Sequence, residues 1–184
     1  MRPVRYALFL LFNLILAACA APVTPTQPPE PTATTIPDGS PPPAVLEIAG
    51  VEQAAGIGTY CWPLPAAGGE SVAACVDKVG LPTSRDPLIA ESPVTARLTL
   101  PMEQPPAQLQ LSVFPAVSEN EVKMDNLPAE FRFWMPAEGI SQELEQQTSQ
   151  DIQLELEPGL YVFYVFGAWE NKGDVSYGFL VEVQ

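Results

Sequence analysis

The chain predicts an all-β, antiparallel head behind an export segment and a proline-rich spacer. Three observations carry this. Apolar residues alternate with polar ones at a period of two in several separate stretches. Prolines punctuate the chain at the ends of those stretches. Ahead of them, a short apolar run gives way at Pro22 to a helix-hostile segment.

At the start, Arg2 and Arg5 precede an apolar run over 6–16 that ends in small residues. That is the charged, apolar, small-residue order of an export signal. The run holds about a dozen residues, short of the roughly 20 that a bilayer-spanning helix needs. Leu16-Ala17-Ala18-Cys19 closes it. This motif resembles the lipobox of bacterial lipoproteins, and the resemblance covers the first twenty or so residues. It implies cleavage after Ala18, a diacylglyceryl group on Cys19 with fatty acids such as palmitate, and residence on the extracytoplasmic face of the cell membrane. Two acyl chains hold stably where one binds marginally. The expected divisions are a signal peptide over 1–18, a lipidated cysteine with a disordered linker over 19–44, and the head over 45–184.

The linker is rich in Pro, Thr and Ala and nearly free of large apolar residues, so it cannot bury enough surface to offset its ordering entropy. A polyproline-like segment rises about 3.1 Å per residue, giving a reach of roughly 75 Å. The chain has three cysteines. With Cys19 lipidated, Cys61 and Cys75 remain as a pair in an oxidising compartment. They are expected to bridge a hairpin around the turn Ala67-Gly68-Gly69-Glu70. Closing a loop of that size is worth roughly 3 kcal/mol.

In the head, Val94, Ala96, Leu98 and Leu100 alternate with Thr95, Arg97 and Thr99. Leu109, Leu111 and Val113 form a second such face, and Ile152, Leu154 and Leu156 a third. Each predicts one buried and one wet side. The run 160–166 is apolar on both sides and predicts a central strand. A turn at 170–174 leads into a last strand over 175–183. Phe131, Phe133 and Met135 suggest a further short strand. Residues 141–148 are the one helical candidate, capped by Ser141 and rich in Glu and Gln. About eight short strands predict a sandwich or a barrel.

Glu157-Pro158-Gly159-Leu160-Tyr161, before the apolar run and its hairpin, resembles the tyrosine corner of immunoglobulin-like domains. The resemblance covers the C-terminal third best and favours an Ig-like sandwich, with the Tyr161 hydroxyl tied back to the corner. Cys61 and Cys75 lie too close in sequence for the inter-sheet bridge of antibody domains. Gly58-Thr59-Tyr60-Cys61-Trp62, Cys75-Val76-Asp77 and Ser176-Tyr177-Gly178-Phe179 also resemble bacterial lipoproteins and exported domains without an assigned activity.

A formal net charge of -14 argues against nucleic acid, whose binding draws on Lys and Arg. The sequence has no histidine, which removes the commonest general base and metal ligand. No nucleophile elbow or phosphate-cradling glycine loop occurs. Carboxylates are so numerous that no pair stands out for acid–base work. No enzyme activity, cofactor or metal is therefore expected. Glu119, Asn120, Glu121, Asp125 and Asn126, and also Glu170, Asn171 and Asp174, offer oxygen ligands, but without the alternation of a dedicated calcium loop.

Two binding roles remain. One is recognition or scaffolding of an envelope protein. The other uses Trp62, Trp134 and Trp169 as a sugar-stacking platform for a polysaccharide, as in carbohydrate-binding modules, against the alternative that large aromatics bury their area. Trp62 is expected to cover the disulfide and Trp169 to be half-buried. Trp134, on the opposite side from Phe131, Phe133 and Met135, is expected to be the most exposed.

Overall fold

Alternation decides which strands pair with which. The computed structural model describes residues 39–64 and 72–184. Cys19, the signal-like segment, the spacer up to residue 38 and the turn over 67–70 lie outside the described residues. In β7 (Val94–Thr99), Val94, Ala96 and Leu98 are buried while Thr95, Arg97 and Thr99 face solvent. Antiparallel neighbours flank it: β1 (Val45–Ile48) on one side and β11 (Ser149–Leu154) on the other. A two-residue turn, Ala49-Gly50, joins β1 to β2 (Val51–Ala54). Both turn residues have positive φ, as hairpin turns that match strand twist require. The first sheet therefore runs β11-β7-β1-β2.

The second sheet is larger. Its path runs through β10 (Ile140–Glu143), β8 (Gln108–Pro115), β12 (Gly159–Trp169), β13 (Gly173–Val183), β3 (Gly56–Leu64) and β4 (Val72–Val76). On β13, residues 174–178 pair with β3, and residues 181–183 pair in parallel with β6 (Leu88–Ala90). The expected hairpin joins β12 to β13, with Trp169 opposite Gly173 and Asn171 at positive φ in its turn. A two-stranded ribbon pairs β5 (Leu81–Ser84) with β9 (Phe131–Trp134).

Burial explains the doubly apolar run. Phe163 and Val165 of β12 join a large cluster shared with Leu46, Leu98 and Ile152 of the first sheet. Val162, on the other side of the same strand, joins Leu81, Phe114, Trp134 and Leu180 in a second cluster. β12 is central and covered on both faces. The ribbon can approach because Gly56 and Gly178, register partners on β3 and β13, carry no side chain. A Cβ on either would run into the Pro82 carbonyl.

Three expectations change. Among the described residues there is no helix: 140–143 pair antiparallel with β8 as an edge strand, so sheet pairing outweighs the favourable local helix propensity of Glu and Gln. Among the described residues the strands number thirteen rather than about eight. Some pairs, such as β5 and β9, are too short or too uniformly buried to alternate. The end of the proline-rich stretch is also packed. Pro41 and Ala44 are buried, the Ala55 N–H donates to the Ala44 carbonyl at 2.8 Å, and the Tyr177 hydroxyl donates to the Pro42 carbonyl at 3.1 Å.

Candidate functional site

Cys61 and Cys75 face each other in the β3–β4 ladder, with their sulfurs 2.09 Å apart. The expected bridge across that hairpin is present. Beside it, Trp62 meets Trp169 edge-on, with ring centres 5.9 Å apart and planes at 83°. The Trp169 indole donates to the Gln104 carbonyl at 3.0 Å. At the predicted corner, the Tyr161 hydroxyl donates to the Glu157 carbonyl at 2.9 Å.

The tryptophans do not form a platform. Trp134, expected to be exposed, is 0% exposed, and Trp62 and Trp169 are buried too. Its ring belongs to the second cluster, and its indole donates to the buried Thr83 hydroxyl at 3.0 Å. A period of two tells which residues share a side of a strand, not which side is covered. Here the ribbon lies on the large sheet and presents Trp134 to it. No two rings lie level on an open face, so the stacking proposal loses its basis.

Glu121 pairs with Arg132, while Glu119 accepts only from the neighbouring Ser118 hydroxyl. Among the described residues, no three Asp, Glu, His or Cys side chains are grouped so as to hold a metal ion.

Two concavities stand out among the described residues. The larger, about 540 Å³, is lined by Arg97, Asp151 and the 142–150 segment. Its Arg97–Asp151 pair, at 2.9 Å, is well exposed, and such pairs contribute little. The smaller, about 300 Å³, lies against the ribbon and is lined by Arg85, Lys123 and Arg132 together with Glu121 and Asp125. Backbone pairing builds it. The Val122 N–H donates to the Phe133 carbonyl and the Met135 N–H to the Asn120 carbonyl, both at 2.8 Å, strapping 120–122 along β9.

That strap brings the Glu121 carboxylate to the Arg132 Nε at 2.9 Å. The Arg132 guanidinium also lies over the Trp134 ring, 4.4 Å from its centre. Arg85, just past β5, donates its Nε to the Ala129 carbonyl. The Arg132 hydrogen bond holds the Glu121 carboxyl below its ordinary value against opposing desolvation, with help from the charges of Arg132, Lys123 and Arg85. Sequence reasoning missed these three cations. They lie far apart in the chain, and only the strap and the ribbon bring them together. The chain matches no known family model and no curated protein.

Proposed function

We propose that this chain is a bacterial lipoprotein, held on the extracytoplasmic face of the cell membrane through Cys19. A proline-rich spacer carries a non-catalytic binding or structural head built as an Ig-like sandwich. The single observation behind the tether is Leu16-Ala17-Ala18-Cys19 at the end of an apolar run too short to span a bilayer. The bridge between Cys61 and Cys75 supports it, because it leaves Cys19 as the odd cysteine and suits an oxidising compartment. Two sheets sharing one buried cluster, and the Tyr161 tie, support the Ig-like sandwich. A histidine-free sequence without a nucleophile motif supports a head that binds rather than catalyses.

Metabolic labelling with an alkyne fatty acid in a bacterial host tests the tether. The wild-type chain should take up the label and sediment with membranes, and Cys19→Ala should lose both properties. A Cys19→Ala chain that keeps its label, or a wild-type chain that never acquires one, overturns the proposal.

A further inference from the structure

We propose that the pocket between the ribbon and the 120–128 segment binds a small organic monocarboxylate with an apolar or aromatic body. The proposal names the ligand class of the binding head and rests on that role, but not on the lipid tether.

Charge is the first ground. Of the eight Lys and Arg in a chain of net charge -14, three line this one pocket. Against them stand Glu121 and Asp125, which leaves one surplus positive charge on an otherwise acidic molecule. Such a local reversal of sign concentrates anions. One surplus charge matches a monoanion, whereas the two acids in the lining oppose a dianion such as a phosphate monoester.

Preorganisation is the second ground. Arg132 is held by the Trp134 ring beneath it and by Glu121 at its Nε. Glu121 already shows that a carboxylate fits this guanidinium, whose planar fork suits such groups. Arg85 is steadied through its Nε by the Ala129 carbonyl. Among the described residues, neither Arg85 nor Lys123 is ion-paired. The headgroup of a ligand would therefore meet two cations outside any ion pair among the described residues, Arg85 and Lys123, beside a third that is fixed in place.

The wall supplies the remaining contact. Phe131 lines the pocket and packs edge-on against Phe133, with ring centres 6.4 Å apart. Met124 lies on the rim, 49% exposed, and its flexible thioether adapts to varied apolar shapes. A volume of about 300 Å³ lies at the small end of ligand sites and suits one ring with a short acid arm.

Saturation-transfer NMR on the full chain would use 4-phenylbutyrate as probe, with 4-phenylbutanol and phenyl phosphate as comparisons. Saturable binding of the carboxylate is expected, at least tenfold tighter than that of either comparison. Arg85→Gln and Lys123→Gln should each weaken it about tenfold, roughly the worth of one charge-assisted hydrogen bond. Lys78→Gln, away from the pocket, should leave it unchanged. Arg132 is avoided because its loss also disturbs packing over Trp134.

No saturable binding, equal binding of the alcohol, or unchanged affinity in both pocket variants overturns the proposal. Tighter binding of the phosphate overturns the choice of a monocarboxylate. None of these results bears on fatty-acid labelling at Cys19, so the two proposals fail separately.

Discussion

The two faces of the large sheet are covered in different ways. One face meets the four-stranded sheet, and its cluster is built almost wholly from alternating aliphatic and aromatic side chains. The other is covered by a two-stranded ribbon and irregular chain over a much smaller cluster. That second cover carries the buried Trp134–Thr83 hydrogen bond, the Arg132 stack, the Arg132–Glu121 pair and the cationic pocket. Regular packing spends its side chains on excluding water. A cover made partly of loop can also place polar groups at a rim, where recognition usually occurs.

The contrast can be broken first at its strongest point. Phe163→Ala on the shared face should cost roughly 3–5 kcal/mol, read by chemical denaturation, because a buried aromatic leaves both lost transfer energy and a cavity. A cost near 1 kcal/mol would mean that the inter-sheet face is not the main core. On the ribbon side, Trp134→Phe keeps most of the bulk but leaves the Thr83 hydroxyl buried without its donor. About 1–2 kcal/mol is expected by the same measurement. An effect as large as that of Phe163→Ala would erase the distinction between the faces.

The smallest effect concerns pH. Because Arg132 lowers the folded Glu121 carboxyl below its unfolded value of roughly 4.3, the pair adds stability that is complete above that value. The contribution is lost as pH falls through the lower folded value. Glu121→Gln should therefore lower stability slightly at neutral pH, by a deficit that shrinks as the pH falls, and so flatten the stability curve on its acid side. Acid unfolding identical to wild type would show that the pair contributes nothing.

Much of the shared face was readable in advance. β7 and β11 each bury one side, and β8 does so as far as Val113, so their alternation is visible, and the doubly apolar β12 announces a strand covered twice. The Cys61–Cys75 hairpin and the Tyr161 tie were also legible, since both are local pairings. The ribbon side was not. Leu81, Pro82 and Thr83 are buried in succession and give no period. Alternation sets Trp134 opposite Phe133 in β9, yet it cannot tell that the Trp134 side faces the sheet. The Ala49-Gly50 turn lacks the usual Asn-Gly or Asp-Gly signal, which hid the β1–β2 hairpin. The pocket was least legible, because its three cations converge only through long-range pairing.

The packed entry to the head has a mechanical consequence. A pull arriving through the residues before Ser40 meets the buried Pro41 and Ala44 before it reaches β1, which is laddered on both edges by β2 and β7. Traction would be shared across many backbone bonds at once instead of peeling a free edge one rung at a time. A domain built in this way can take a load at its N-terminal end without its first strand unzipping.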